Sequence, residues 1–436
     1  MAEGAFWLKN VLVETGFTYD EEGRVDGTET ELVHLRIQDG VIAEIVPARD
    51  FAAMTVHAGA ESAEKIPAGS HPTSTGGGLL PIVEGGGHLL LPSFIEKHVH
   101  LDKTLLGEPW RAVLPASGVV ERCGIEKKVL AGVPLSTRER AESLLDVLLA
   151  AGSTHVRTHV DIYPEVGTRN LEGVQQALEE YRGRVSSEIV AFPQHGLLRS
   201  ESGRLVREAM RQGAGLVGGV DPATVDGDVE RSLQEMVEIA VDFGAGIDLH
   251  LHDPDYLGAF TIRRLAALTV EAGLQGKVSV SHAFGLGEVP EREGEALASL
   301  LAEAGITVVT SVPHRRTLPP VPLLRAKGVA VAVGSDNIFD TWQPFGNGDG
   351  LERAGRLAER FRWVDEFALS RALGYITGGV TPLNDAGEQV WPRVGDGASL
   401  VLCEASCSAE AVARRARRVM VFYRGTKVAG GSSDHD

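Results

Sequence analysis

The sequence predicts an α/β fold: a (β/α)8, TIM-like barrel carrying a small β-sandwich built from both chain ends. Three observations predict it. From residue 92, apolar strand-like runs alternate with amphipathic helical stretches, the pattern of a parallel sheet with crossover helices. Eight such runs fit within about 250 residues, the size of one closed barrel. Short alternating strands occupy both ends of the chain, and chain ends commonly lie close together. The expected domains are residues 1–91 with 394–436 as the composite β-sandwich, and residues 92–393 as the barrel.

In the N-terminal part, Leu8–Val13, Glu31–Gln38 and Gly40–Ile45 alternate apolar and polar residues, with a turn at Gly40. Residues 58–79 are rich in Gly, Ala, Ser and Pro and read as a flexible loop between strands. The barrel strands are expected at Ser93–Leu101, His155–Asp161, Ile189–Gln194, Gly215–Asp221, Gly246–His252, Lys277–Ala283, Thr307–Pro313 and Val329–Asp336. Ser136–Gly152 is the clearest helix. Ser136 and Glu139 have capping-box spacing, Leu144, Leu145, Leu148 and Leu149 recur at helical intervals, and Gly152 ends the run. Ser399–Cys403 and Val419–Tyr423 return to strand, with a turn at Gly425 and a disordered tail expected over 430–436.

Composition narrows the class. The chain has 436 residues, 43% hydrophobic and 23% charged, as in a globular protein. A formal charge of −18 with no basic stripe argues against a nucleic-acid partner. No apolar run reaches transmembrane length, and Met1–Trp7 shows no secretory pattern. Cys123, Cys403 and Cys407 have no metal-type spacing; buried thiols in a reducing, cytoplasmic compartment are expected.

The chemistry concentrates where barrel active sites lie, at the C-terminal ends of the strands. His98 and His100 sit two apart on the first strand, so both imidazoles face one side. The fifth strand ends in Asp248-Leu249-His250-Leu251-His252-Asp253, the sixth in Ser281-His282 and the eighth in Asp336-Asn337. Buried imidazoles and carboxylates at a barrel mouth need partners, and a cation supplies them. Three histidines and an aspartate with an open position match a catalytic metal site. By spacing alone either His250 or His252 serves. His155, Arg157 and His159 alternate along the second strand and are expected to fill the barrel interior or support the ligands. His195 is a substrate contact or an ordinary loop residue. Arg315 and Arg316 follow the seventh strand, where a solvated surface pair is preferred over an anion clamp.

Several blocks then carry a resemblance: Phe94–Asp102, Gly107-Glu108-Pro109, His155–Asp161, Ile189–Gln194 and Asp336–Trp342. Over about residues 89–428 the chain resembles the amidohydrolase superfamily, and within it the bacterial cytosine deaminases and N-isopropylammelide amidohydrolases. The resemblance implies one divalent metal, zinc or iron, held by His98, His100, His250 and Asp336. Two-metal members carry a bridging lysine on the fourth strand, and Gly215–Asp221 has none. It implies attack of metal-bound hydroxide on a ring amidine carbon, with Asp336, His282 and Asp253 as catalytic residues. Gln194, His195, His252, Asn337 and Trp342 become the substrate contacts. The partner is a small heterocycle, and a homo-oligomer is common in the family.

Some positions depart from that pattern. Asp253 stands where the family has a proton-carrying glutamate, and falls short by about 1.5 Å, one C–C bond. Misplacement of about 1 Å costs roughly a hundredfold in rate. His252, Asn337 and His195 each replace a family carboxylate, so the cytosine pocket is not reproduced and a less basic or anionic ring is expected. The reading is a hydrolytic deaminase of a small nitrogen heterocycle. The alternatives are a hydrolase of a cyclic amide or N-alkylamine substituent with the same metal site, and a catalytically silent ligand-binding barrel.

Overall fold

The computed structural model describes residues 4–50, 80–314 and 316–430. The loop expected at 58–79, Arg315 and residues 431–436 lie outside the described residues, while Gly430 ends a strand. The first strands are β1 (Phe6–Tyr19), β2 (Val25–Gln38), β3 (Val41–Pro47), β4 (Ile82–Glu84) and β5 (Leu89–Pro92). The next are β6 (Phe94–Val99), β7 (Ser153–Asp161), β8 (Ser186–Phe192), β9 (Leu216–Val220), β10 (Gly246–Leu251), β11 (Val278–His282), β12 (Thr307–Thr310) and β13 (Val331–Val333). The last are β14 (Leu400–Cys403), β15 (Arg418–Tyr423) and β16 (Thr426–Gly430).

Two compact units result, Met1–Ser93 with Ala358–Asp436, and Phe94–Leu357. The second boundary lies at 358 and not near 394, because the helix Glu366–Ala372 packs on β2 and on the helix Ser408–Arg414. The terminal unit is an eight-stranded mixed sheet in the order β16-β15-β14-β5-β1-β2-β3, with β4 paired to β1. Strands from both chain ends meet where β5 and β14 pair antiparallel, Leu91 opposite Val401. Leu8, Leu35, Ile37, Leu90, Leu400 and Phe422 share one core, which explains the alternation in the sequence.

In the other unit, β6 to β13 pair in parallel, each with its sequence neighbour. β9, β10 and β11 are almost wholly buried; β9 is apolar throughout, while β10 and β11 alternate apolar residues with Asp248, His250, Ser279, Ser281 and His282. Helices bridge the strands. Thr137–Ala150 carries the expected capping box: the Ser136 hydroxyl accepts from the Glu139 N–H, and the Glu139 carboxylate accepts from the Ser136 N–H.

Closure of the barrel needs two devices. Val99 bridges Asp336 in parallel, and Asp336 N donates to His98 O at 2.6 Å. Buried Glu96 accepts from His98 N (3.0 Å) and Ser335 N (2.9 Å), stitching β6 to the end of β13. The approach is so close that a Cβ on Gly334 would lie 2.6 Å from His98 N. Only glycine fits there. All three cysteines are free and buried. Among the described residues, no helix is long and apolar enough to cross a membrane.

Candidate active site

Barrel closure brings β6 and β13 together, and with them His98, His100 and Asp336. β10 and β11 add His250 and His282, and β7 adds His159. The His98 and His100 rings stand 5.4 Å apart, His98 and His250 4.5 Å, and His98 and His159 4.0 Å. Asp336 Oδ1 lies 3.4 Å from His100 Nε2 and 3.6 Å from His98 Nε2. The ligand atoms of His98, His159 and His250 fall within 4.8 Å of one another, and so do those of His98, His282 and Asp336. Phe192 stacks on His250 at 4.0 Å and closes one side in hydrocarbon.

These imidazoles have few partners. His98 Nε2, His282 Nε2 and both ring nitrogens of His159 and His250 are buried without a hydrogen bond among the described residues. Unpaired buried polar atoms are costly in a folded protein, and their convergence is what a cation would relieve. The chemistry agrees. Burial drives His159, His250 and His282 well below the ordinary histidine range, and His100 down to about 3. They are neutral, the form that offers a lone pair to a metal. Burial works against ionisation of Asp336 too, yet His282, His100 and His98 around it hold its carboxyl well below the usual range. A neutral imidazole set with one ionised carboxylate fits a divalent ion.

The backbone is strained at this point. His282 (φ +71°), Asp336 (φ +61°) and Asp221 (φ +37°) occupy the left-handed region at or just beyond the ends of barrel strands. Such residues cost about 1–3 kcal/mol each and persist where surrounding structure enforces them.

A small cavity of about 30 Å³ opens beside the cluster, lined by Gln194, His252, Asn337, Trp342, Val119 and Val220 together with His100, Phe192, His250, His282 and Asp336. His252 stacks on His282 at 4.3 Å, and its Nδ1 lies 2.9 Å from Asp221 Oδ2. Burial opposes a charge on His252, but Asp221 raises its pKa. Asn337 donates its amide to Asp340 Oδ2 at 2.6 Å, so its carbonyl is the group offered to a ligand. Asp340 is itself pushed up to about 7 by burial and by Glu126.

One expected catalytic residue, Asp253, and one expected substrate contact, His195, lie off the cavity wall. Asp253 is turned toward the loop after β9: its carboxylate accepts from Thr224 Oγ1 (2.6 Å), Thr224 N (3.3 Å) and Ala223 N (3.2 Å), and it does not line the cavity. His195 packs against Tyr163 at 4.3 Å, also off the cavity wall. Arg316 lies over the Phe284 ring at 5.4 Å.

Sequence reasoning missed the support behind Gln194. Lys103 is fully buried, 3.1 Å from Asp161 and 3.5 Å from Glu126, and donates to Gln194 Oε1. Gln194 Nε2 in turn donates to Glu126 and to Asp161 (3.2 Å), and Trp342 Nε1 donates to Glu126 at 2.7 Å. Both ends of the Gln194 amide are therefore fixed. Lys103 directly follows the Phe94–Asp102 block, but Glu126 lies on the helix Val119–Leu130 and carries no local signal.

The C-terminal mouth of the barrel, where such folds carry their active sites, thus gathers imidazoles around one aspartate in an arrangement that could hold a metal ion. The sequence comparison is direct: residues 82–431 match the amidohydrolase family, and the chain belongs to it. It is therefore an enzyme acting on C–N bonds. It is 41% identical to the uncharacterized protein YahJ of Escherichia coli (strain K12) over 98% of this chain and 88% of that protein. It is 32% identical to the N-isopropylammelide isopropyl amidohydrolase of Pseudomonas sp. (strain ADP) over 79% of this chain and 86% of that one. The crystal structure of N-isopropylammelide isopropylaminohydrolase from Burkholderia multivorans ATCC 17616 superposes with a TM-score of 0.80, at 34% identity and 98% coverage of each chain.

Proposed function

We propose that this enzyme hydrolyses an exocyclic C–N bond on a small planar nitrogen heterocycle, releasing ammonia in the favoured reading. The observation that carries it is the cavity itself: the amide of Asn337, the fixed amide of Gln194 and the indole of Trp342 meet the imidazole cluster in one recess. His98, His100, His250 and Asp336 would hold one divalent ion, zinc or iron, whose role when bound is to supply water ionised near neutral pH. Asp336 is the base that takes the water proton and hands it to the departing amine. His282, neutral and facing the cavity, orients the attacking oxygen and stabilises the charge that develops. Gln194 and Asn337 orient the ring, and Trp342 with Phe192 supplies flat walls.

The recess is far smaller than the roughly 300 Å³ at the low end of ligand sites. A ring enters only if lining side chains shift. His252 and not Asp253 lines the recess, so this reading assigns no carboxylate shuttle at 253. A second reading, loss of an alkylamine in place of ammonia, is favoured by the 32% identity to the Pseudomonas ammelide enzyme. A small heterocyclic substrate, a cytoplasmic setting and a homo-oligomer, without nucleic acid, complete the proposal.

The test is a substrate panel on zinc- and iron-loaded protein: cytosine, isoguanine, creatinine, pterins, aminotriazines and N-alkylaminotriazines, assayed for both ammonia and alkylamine. Ammonia release supports deamination. Alkylamine alone moves the assignment to the second reading. Neither product from metal-replete protein would refute both.

A further inference from the structure

The interior of the barrel below His98 holds a directional chain of hydrogen bonds. Arg157 Nη1 donates to Asp248 Oδ2 at 2.9 Å. Ser281 Oγ donates to the other oxygen, Asp248 Oδ1, at 2.7 Å. Ser281 Oγ also meets His98 Nδ1 at 2.9 Å. Farther from the site, Arg157 Nε donates to Glu188 Oε2 at 3.0 Å. Asp248 and Ser281 are fully buried, so solvent offers no substitute partners.

The polarity of this chain is determined by its end groups. An arginine only donates, and an ionised carboxylate only accepts. Ser281 has one hydroxyl hydrogen, and it goes to Asp248. Its oxygen is then left to accept, so the hydrogen between Ser281 and His98 must sit on His98 Nδ1. We infer that Arg157, Asp248 and Ser281 are positioning residues that lock His98 in the Nδ1–H tautomer and aim the Nε2 lone pair at the cluster. The inference rests on the metal-site reading above for its consequence, though not for the tautomer itself.

Asp248→Asn makes the sharpest test, because it keeps size and shape. Arg157 still can only donate, so it must take the carbonyl of the new amide. The amide NH2 then faces Ser281 and forces its hydroxyl to donate to His98 Nδ1. The tautomer flips, and an N–H points at the metal position. Ser281→Ala removes the acceptor without adding a donor and leaves the tautomers mixed. Ser281→Thr keeps the hydroxyl and should behave as the native protein.

The first readout is the ring-nitrogen pattern of metal-free protein labelled with 15N-histidine, with His98 assigned by its absence in His98→Ala. The second is zinc affinity by chelator competition. The expected result is Nδ1–H in the native protein and in Ser281→Thr, Nε2–H in Asp248→Asn, and zinc affinity weakened about 10–100-fold in Asp248→Asn and Ser281→Ala. A native Nε2–H signal, or an unchanged tautomer in Asp248→Asn, would overturn the inference. Should Asp248→Asn not fold, Ser281→Ala against Ser281→Thr decides it: equal tautomers and equal affinities reject it. Native protein that shows Nδ1–H yet binds no zinc would refute the metal-site reading and leave the tautomer lock standing.

Discussion

Lys103→Met is the most informative perturbation of the pocket wall. The substitution keeps length and removes one charge from a site where Lys103, Glu126 and Asp161 are all buried. The distances of 3.1 and 3.5 Å to Asp161 and Glu126 correspond to attractions of about 5 kcal/mol each at an effective dielectric of about 20. Desolvation of the lysine offsets much of that, and breaking one side of a buried ion cluster costs about 3–5 kcal/mol. For a unit of this size that is a fall in Tm of roughly 6–20 °C. The pH dependence has a definite sign. Burial raises Glu126, but Lys103 and the Gln194 hydrogen bond hold its carboxyl below the ordinary value. A depressed carboxyl stabilises the fold above its unfolded pKa and loses that contribution as pH falls through the folded pKa. Without Lys103 the carboxyl rises even though the Gln194 hydrogen bond remains, so the variant's deficit is full at high pH and shrinks as pH falls through the variant's raised folded pKa. Urea unfolding of both proteins at pH 8 and pH 5.5 measures this. A deficit under about 1 kcal/mol, or one equal at the two pH values, would refute the argument.

The other predictions concern the cluster and its frame. Gly334→Ala places a Cβ 2.6 Å from His98 N and 2.9 Å from Glu96 Oε1; it should cost about 1–3 kcal/mol and weaken zinc binding, measured by denaturation and equilibrium dialysis. Asp253→Asn should lose stability by about 1–3 kcal/mol, since three hydrogen bonds from residues 223–224 end on its carboxylate. Its kcat should fall less than about tenfold, whereas a loss near 10²–10⁴-fold would restore a proton-transfer role. His100→Ala should abolish stoichiometric metal and His159→Ala should retain it; the reverse pattern by elemental analysis would move the ligand set to His98, His159 and His250.

Much of this architecture could be read in the sequence because the barrel is buried on both sides. A run such as Leu216–Val220 has no solvent face, so it stands out as an apolar block. His250, His282 and Asp336 are legible because they stand at or just beyond strand ends, where barrel active sites lie. Depth and direction were not visible. The alternation His155, Arg157, His159 placed all three on one face, but only the fold shows His155 on Glu188 and His159 beside His98. Asp253 sits three residues after His250, as the family pattern requires. The chain leaves β10 at Leu251, however, and the Asp253 carboxyl turns to residues 223–224. Glu126 joins Lys103 across a loop and a helix, a pairing that no periodicity encodes.

The same physics explains why the cluster is built from buried groups on strand ends and not from exposed loop residues. Burial keeps the imidazoles neutral, which a metal site needs. It also removes water as an alternative partner, so each ring nitrogen is governed by the protein groups next to it. His98 meets Ser281 on one side, and His100 and Asp336 stand on the other. The backbone is left-handed at His282 and Asp336, the two residues that end or follow β11 and β13 beside the cluster. That strain is sustainable because the flanking segments are locked: Asp336 N to His98 O, and Ser335 N to Glu96. Glu96 closes the barrel and also fixes the backbone that presents His98, so stability and site geometry meet in one buried carboxylate. Loss of Glu96 would therefore act on metal binding without that residue touching the metal.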